Sequence, residues 1–444
     1  MQQKQLLLTR AAISGTICAI IASTAQGDLS QLFEEGSLNG KLRSIYFDID
    51  KKEYLNGSNT KTTGAWTGSL WLDAKSGYAW DVIGFDASYY GVQKLSMAND
   101  NKRENGGGGS KELLNDNNEG VAKLGQAYIK AKLGDDAVGG QFRAGRQLIY
   151  NALVSSSRSR SVPSTWFGYN LVGKVDAINY GLVYVDQMSL RNQAGFHKLV
   201  SFDDRPIDHI IGAQLGYNAD GVKLQYRNAF SKDFLKAHNG TVGYTFDLAQ
   251  DTRLTLDARY YVTKKDGHLW NGTAWGSPAF DDKAENTSLN ARLALMEWTL
   301  VASVSKTKAK SSLGLGRYYY DFGKNTHGIW DVPTTAFAED FFYDGEQAYT
   351  VGGQYDFTKT GLNGLTLGYF FTYGHGIQLS NGDKGREHEH DFLAIYAFNQ
   401  APLKGLSVKA QYGLYKNSDS VRQEIGYGKR NDLRMWLDYN FVAF

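Results

Sequence analysis

The sequence predicts an all-β chain: a transmembrane antiparallel β-barrel of about 18 strands, with short turns on one rim and long loops on the other. The first observation behind this prediction is a period-2 alternation of apolar and polar residues, which gives each extended segment one apolar and one polar face. The second is the alternation of short and long connections between those segments. Together they are typical of barrels in bacterial outer membranes.

The chain opens with the features of a secretory signal peptide. Two basic residues precede an apolar run, and small residues follow it, so cleavage after Ala25 or after Gly27 fits the pattern. We therefore expect residues 1–27 to be removed and residues 28–444 to form a single barrel domain.

Composition and charge exclude several classes of protein. With 13% aromatic residues, 5 prolines and a formal net charge of +2, the chain resembles neither a disordered protein nor a nucleic-acid binder, so we expect no nucleic-acid partner. After the signal peptide, no apolar run approaches the ~20 residues of a transmembrane helix. The single cysteine, Cys18, lies in the signal, so the mature chain is expected to hold no disulfide.

Alternation is clearest in segments of roughly the 9–11 residues that cross a bilayer as a tilted strand. These segments are 222–227, 251–262, 289–295, 365–371 and 406–414. In the second of them, Leu256 and Ala258 lie on the apolar face, whereas Thr255 and Arg259 lie on the polar face. Residues 121–145 form a similar pair of segments around a tight polar turn, which predicts a hairpin.

The connections give the strand count. About eight are short, near residues 74–77, 134–136, 173–176, 218–221, 248–251, 296–297, 358–364 and 400–405. About nine are longer, at residues 51–62, 94–120 with its glycine run 106–109, 148–163, 187–206, 233–237, 267–285, 306–344, 375–386 and 417–428. This arrangement places both termini on the short-turn rim. In the last strand Phe444 is out of phase with Phe441, which predicts either a bulge or an imperfect terminal signal.

A soluble β-sandwich would show the same alternation, with its apolar faces buried in a core. Two features favour the membrane barrel. Arginines occur in the middle of the polar faces, and aromatic residues such as Trp298 and Tyr349 lie on the outward faces near strand ends, where interfacial girdles sit.

Three stretches resemble the OprD family of substrate-specific outer-membrane porins: QFRAGRQ at 141–147, SRSRSVPSTWFG at 157–168 and SLWLDAKSGY at 69–78. The resemblance implies a channel that works as a monomer, in which a basic ladder leads the carboxylate of a small solute to a loop-lined constriction. It also implies that the loop at residues 148–163 folds into the lumen.

Cations on inward positions of a water-filled channel attract and steer anionic solutes, and each arginine can hold a carboxylate bidentately. The predicted solute-binding residues are Lys130, Lys132, Arg143, Arg146, Arg158, Arg160, Arg227, Arg253, Arg259 and Arg292. The plainer interpretation is a solvated pore lining. We expect Arg158 or Arg160 to face an acidic partner such as Asp321 or Asp331, creating a transverse field. The alternative is an external loop whose arginines contact lipopolysaccharide phosphates.

The nature of the solute stays open. The basic set favours amino acids or aromatic and aliphatic acids, but inward aromatic residues would equally suit a chitoporin-like slide for oligosaccharides. Those aromatic residues are Tyr128, Tyr261, Phe370, Tyr415 and Trp436. The predicted partners are thus a small-molecule solute, outer-membrane lipid and lipopolysaccharide.

Other classes of function find less support. His388 and His390 lie two apart near acidic residues, but two ligands do not complete a metal site, and we place them at the rim where a long loop enters a strand. No Gly-x-Ser-x-Gly elbow occurs. We therefore predict no enzyme activity, cofactor or metal, while an outer-membrane hydrolase or adhesin barrel remains the alternative of another class.

Overall fold

The fold is taken from a computed structural model, which describes residues 29–52, 60–97, 109–135 and 137–444. The predicted signal peptide, the centre of the first loop and most of the glycine run at 106–109 lie outside these ranges. Among the described residues, no helix is long and apolar enough to cross a membrane.

Eighteen long strands form the wall of the molecule. They are β1 (Ser37–Lys52), β2 (Thr60–Lys75), β3 (Ile83–Met97), β4 (Ala122–Gly134), β5 (Val138–Gln147), β8 (Thr165–Val175), β9 (Ile178–Ser189), β12 (Ile210–Ala219), β13 (Val222–Ser231), β14 (Leu235–Ala249), β15 (Thr252–Lys265), β18 (Lys283–Leu295), β19 (Trp298–Lys308), β20 (Gln347–Asp356), β21 (Leu365–Gln378), β22 (Lys384–Ala397), β23 (Leu406–Asn417) and β24 (Lys429–Val442).

Short elements lie in the connections. The strand pairs are β6 (Tyr150–Asn151) with β7 (Val154–Ser155), β10 (His197–Val200) with β11 (Pro206–Ile207), and β16 (Thr273–Ala274) with β17 (Ser277–Pro278). The described helices are Gln31–Glu34, the 3-10 turn Thr358–Thr360 and Asp419–Ile425.

The wall is a closed antiparallel barrel. Each long strand pairs with its neighbours in sequence, and β1 pairs with β24, where Gly40 lies opposite Phe441. Closure leaves no unpaired sheet edge, which a bilayer requires because it offers backbone groups no water. The predicted strand number, the alternation of turns and loops, and the fold class are confirmed.

The side chains follow the predicted faces over most of the wall. Leu256 and Leu289 are 41% and 56% exposed on the outside, next to each other on β15 and β18. In the half of β1 nearer the long loops, apolar residues also face the lumen. Ile45 and Phe47 point inward and are buried against Leu113. An apolar residue therefore faces the lumen wherever a loop folds in to cover it.

Most of the buried core lies inside the barrel, under two infolded loops. The connection between β5 and β8 contributes Ile149 and Leu153, and the connection between β19 and β20 contributes Tyr318 and Trp330. The first loop packs closely against β9 because Gly181 has no side chain. A Cβ at Gly181 would lie 2.1 Å from the Oδ1 of Asn151 in the loop. The loop at residues 148–163 thus folds into the lumen. The alternative, an external loop whose arginines contact lipopolysaccharide, is wrong.

Several loop boundaries differ from the prediction by a few residues, and one of the differences changes the place of two histidines. The loop expected at 375–386 spans only residues 379–383, so His388 and His390 lie within β22. They point outward near the long-loop end of β22, whereas Glu389 points inward and is fully buried, so the two histidines and Glu389 lie on opposite faces of the wall. At the C-terminus the β1–β24 ladder has no bulge, and Phe444 lies beyond the strand.

The lumen-facing assignment can be tested by cysteine labelling. A cysteine at Thr255 is expected to react with a small charged thiol reagent added from water and to alter conductance, whereas one at Leu256 should not react. Thr255 shares its face with Arg292 inside the barrel, and Leu256 faces lipid. The opposite labelling pattern would mean that the two faces are exchanged.

Candidate functional site

The candidate site is the place where the two infolded loops meet in the lumen. Their backbones are joined by a hydrogen bond from the Ile329 amide to the Leu153 carbonyl (3.1 Å) and by a bridge between Val154 and Gly328. A cavity of about 650 Å³ lies beside this junction. Its charged lining consists of Arg158, Arg160, Arg191, Lys324 and Arg434, with Glu112, Asp321 and Asp340. We call this cavity the constriction.

Two of the predicted cations lie in the constriction, on the first loop. Arg158 is exposed to the lumen, with its guanidinium 5.6 Å from the centre of the Tyr150 ring. The Nε of Arg160 donates to the carbonyl of Lys111 at 2.8 Å. Among the described residues neither arginine has a carboxylate within ion-pair distance, so both charges remain available to a solute.

Arg43, on β1, holds this loop in place. Its Nη1 donates to the carbonyl oxygens of Arg158 (2.9 Å) and Arg160 (3.1 Å). Its Nε and Nη2 donate to the Asp438 carboxylate at 2.7 and 2.6 Å, which fixes the guanidinium on the wall. Because the carbonyls are held toward the wall, the side chains of the same segment project into the lumen.

Arg191 is a second cation that the sequence analysis missed. It forms an ion pair with Glu112, from the loop between β3 and β4. Its Nη1 also donates to the hydroxyl oxygens of Ser157 and Ser159, at 2.9 Å each. Three loops are therefore joined through one guanidinium, and the serine-rich composition of residues 155–161 supplies its acceptors.

The second infolded loop is fastened through Asp331. Arg227 donates to its carboxylate at 3.0 Å, and Arg259 lies 3.5 Å from the same group. Arg227 also donates to Asn239 at 2.8 Å. Asp331 is therefore not the partner of Arg158 or Arg160 that we expected.

Asp321 is likewise not paired with the loop arginines. Its carboxylate accepts a hydrogen bond from the Gly328 amide at 2.8 Å, within its own loop. Asp321 does line the constriction, so it contributes charge there without an ion pair to Arg158 or Arg160 among the described residues.

Three further predicted cations lie near the short-turn rim, each with a carboxylate partner. The pairs are Lys130 with Asp86 (2.7 Å), Lys132 with Asp81 (3.0 Å) and Arg253 with Asp247 (2.7 Å). The structure therefore places them away from the constriction.

The last three predicted cations are divided between the two faces of the wall. Arg143 faces the lumen over the Tyr128 ring at 5.4 Å, and Arg292 faces the lumen opposite Thr255. Arg146 lies opposite Phe167, on the outward face. The prediction that Arg146 lines the lumen is therefore wrong.

The last strand supplies cations that the predicted set left out. Arg430 pairs with Asp432 on its own strand and with Glu339 of the second loop, at 2.5 and 3.0 Å. Arg434 pairs with Asp432 at 2.7 Å and lines the constriction. The signal for them was present, since both alternate with outward apolar residues such as Met435.

The comparisons with known proteins fit this geometry. A family profile described as outer membrane porin, OprD family, matches residues 30–443. The chain belongs to the OprD family. It is therefore an integral β-barrel of the outer membrane, in a family of channels.

Solved porins share the fold at low sequence identity. OccAB1 of Acinetobacter baumannii is 20% identical with a TM-score of 0.78, and the match covers 95% of this chain and 100% of that one. OccK9 (OpdG) of Pseudomonas aeruginosa is 18% identical with a TM-score of 0.76, over 93% and 100%. OpdK of the same organism is 19% identical with a TM-score of 0.71, over 93% and 100%. No curated protein matches the sequence.

The five inward aromatic residues serve mainly to hold the loops of this OprD-family barrel. Four contact a loop or a wall residue beside one: Tyr261 with Trp330 (5.6 Å), Phe370 with Phe337 (6.3 Å), Tyr415 with Phe341 (6.4 Å) and Trp436 with Phe47 (5.5 Å). Tyr128 instead donates to Asp86 at 2.6 Å. Four of these rings therefore pack against other aromatic side chains, and the fifth is hydrogen-bonded to the wall.

Several ionisable groups of the constriction have shifted pKa values, among them Asp321, Asp340 and His327. Removal from water raises the pKa of Asp321 to about 7 and that of Asp340 to about 6, the latter also because Glu339 is near. Removal from water, helped by Arg191, lowers the pKa of His327 to about 3. His327 is therefore neutral at physiological pH, while the two aspartates change charge close to it.

These pKa values predict pH-dependent selectivity. Below about pH 5 Asp321 and Asp340 are neutral, and above about pH 8 both carry a negative charge, so the preference for anions should fall as pH rises between these limits. Reversal potentials in a KCl gradient measure the preference. The D321N/D340N variant should show no such fall. A wild-type preference that stays constant from pH 5 to 8 would contradict this assignment.

Proposed function

We propose that this barrel carries small carboxylate-bearing solutes across the outer membrane by facilitated diffusion through the constriction. The observation that carries the proposal is the pair Arg158 and Arg160, which line the narrowed lumen without a carboxylate partner among the described residues. A guanidinium binds a carboxylate through two parallel hydrogen bonds, so a solute anion can replace the missing partner.

The charge balance of the constriction supports selection for anions. Of the five cations that line it, three are paired with carboxylates, Arg191 with Glu112, Lys324 with Asp204 and Arg434 with Asp432, and Arg158 and Arg160 have no such partner among the described residues. Because the loops narrow the water-filled space between low-dielectric walls, the excess positive charge acts on any solute that passes. Arg158 is exposed to the lumen, and the Arg160 guanidinium lies 5.1 Å from the ring centre of Phe47 on the wall.

The two loops support a selective channel rather than a wide general pore. Both are fixed at several points, by Arg43 on one side and by Asp331 on the other, so the constriction keeps its shape while solutes pass. The path lies within a single closed barrel, and we extend the proposal to a channel that works as a monomer.

One structural neighbour illustrates the solute class. OpdK was crystallised with vanillate, which is a carboxylate. We propose a carboxylate solute for this chain because of the charges in its own constriction. The likeness to OpdK, at 19% identity, concerns the fold.

A transport panel tests the proposal. Mature protein in liposomes is expected to pass benzoate and zwitterionic amino acids faster than the uncharged benzamide and faster than chitooligosaccharides, most clearly at low ionic strength. Benzamide is the matched control, because it keeps the ring and loses the carboxylate. Equal rates for benzoate and benzamide, or the fastest passage for the sugars, would overturn the proposal.

A further inference from the structure

A row of cations and histidines lies on the outer surface of the barrel, near the long-loop rim. Its members project outward from β19, β21, β22 and β23: Lys306, His375, Arg386, His388 and Lys416. We call this group the basic rim patch. It takes no part in the lumen, since residues of opposite parity on the same strands line the inside.

The strand register brings the members of the basic rim patch together. Lys306 lies opposite Gln347, which lies opposite His375, and His375 lies opposite Arg386. One row lower, His388 lies opposite Lys416. Diagonal neighbours on adjacent strands are about 7–8 Å apart, so Arg386 and Lys416 can reach one small anion together.

Among the described residues, no carboxylate forms an ion pair with Lys306, Arg386 or Lys416, and Glu285 on the neighbouring β18 is already paired with Lys283. On β19 to β23, outward positions on the long-loop half of the strands hold no Asp or Glu, and all of these positions belong to the described residues. The acidic residues of β22 are on the other face, where Glu387 and Glu389 are buried inside the barrel. Like charges on neighbouring strands repel, so an anion bound from outside the chain would stabilise the patch.

The position of the patch indicates where that counter-charge lies. Beside and directly below it are outward aromatic residues, among them Tyr349 (40% exposed) and Tyr373, whose ring centres lie 6.0 and 5.8 Å from that of His375. The Tyr369 hydroxyl is 2.8 Å from the Nδ1 of His390, which joins another outward aromatic residue to the histidines. Aromatic girdles mark the boundary between acyl chains and headgroups, so the basic rim patch lies at headgroup level.

We propose that the basic rim patch is a binding site for the phosphate groups of an outer-leaflet glycolipid. Arg386 supplies a bidentate phosphate contact, and Lys416 supplies a second positive charge beside it. Lys306 lies three strands away, about 14 Å at the usual spacing of about 4.8 Å per strand. A bisphosphorylated sugar headgroup, such as that of lipid A in lipopolysaccharide, can therefore contact both ends of the patch.

Native mass spectrometry of the full mature barrel in detergent with EDTA tests this site. The wild type is expected to bind bisphosphorylated lipid A about tenfold more tightly than the same lipid after phosphate removal. The K306Q/R386Q/K416Q variant should lose that preference. If removal of the phosphates changes nothing in the wild type, or if the triple variant keeps the preference, the proposal is wrong.

Matched control residues lie on β14 and β18, the latter next to β19 in the barrel wall. Lys236 and Lys283 also point outward near the long-loop rim, but each has a carboxylate partner, Asp266 at 2.9 Å and Glu285 at 3.1 Å. The K236Q/K283Q variant should bind lipid A as the wild type does. A second measurement adds inorganic phosphate to the complex of protein and lipid A. If millimolar phosphate displaces the lipid completely, the patch is a site for free anions, and the lipid assignment is wrong.

Discussion

Replacing Arg158 and Arg160 together with alanine is expected to lower the flux of small carboxylates about tenfold at low ionic strength and to raise the relative conductance of cations. The reason is that these two charges face the constriction without carboxylate partners among the described residues. Their removal leaves Arg191, Lys324 and Arg434, each already paired with a carboxylate. Benzoate flux into liposomes and reversal potentials in planar bilayers measure the two effects.

Salt and a matched variant distinguish steering from a structural effect. The difference between wild type and double variant should shrink as ionic strength rises, because salt screens charges in a water-filled lumen. R253A is the control: Arg253 is also exposed, but it is paired with Asp247 near the short turns, so its removal should leave benzoate flux close to wild type. Unchanged flux and selectivity in the double variant would place the selective step elsewhere in the lumen.

The barrel could be predicted from the sequence because its determinants are local. Each strand lies between lipid and a polar lumen, so a period-2 pattern such as that around Leu256 and Arg259 is imposed along the strand. Connection length separates the rims in the same way. Even the short connection at 232–234, between β13 and β14, was recognised, although it is hardly longer than a turn.

The same pattern is not sufficient to assign the faces of β1, because burial by a loop is a tertiary effect. Ile45 and Phe47 look like lipid-facing residues, yet they cover Leu113 inside the barrel. Alternation shows whether a residue faces lipid or the lumen only when the medium on each side of the strand is known. Where a loop replaces water in the lumen, the apolar face can point inward.

The candidate site was predicted in part for a similar reason. Arg158 and Arg160 stood out as basic residues in a polar loop, and the resemblance to OprD porins implied that this loop enters the lumen. Sequence could not show that Arg43 binds that loop or that Asp331 pairs with Arg227, since these partners are more than 100 residues apart. Lys130 had the expected inward direction, but alternation carries no information about its partner or its height in the barrel.

Replacing Trp330 with alanine is expected to release the second infolded loop and to increase single-channel conductance severalfold. The Trp330 ring stacks on Tyr318 at 4.6 Å and on Tyr320 at 5.2 Å, and it contacts Tyr261 of the wall at 5.6 Å. Loss of a packed tryptophan costs about 3–5 kcal/mol, more than a loop held at a few other points can absorb. The constriction should therefore widen, and the preference for benzoate over benzamide should fall.

Two measurements separate this effect from general damage. The thermal unfolding of the barrel should stay near wild type, because the closed strand ladder does not include Trp330. W298A is the matched control, a tryptophan on the outer face that contacts Tyr355 at 4.8 Å and should leave conductance unchanged. If W330A also keeps the wild-type conductance, the ion pairs of Asp331 with Arg227 and Arg259 hold the loop by themselves, and the aromatic contacts do not set the width of the channel.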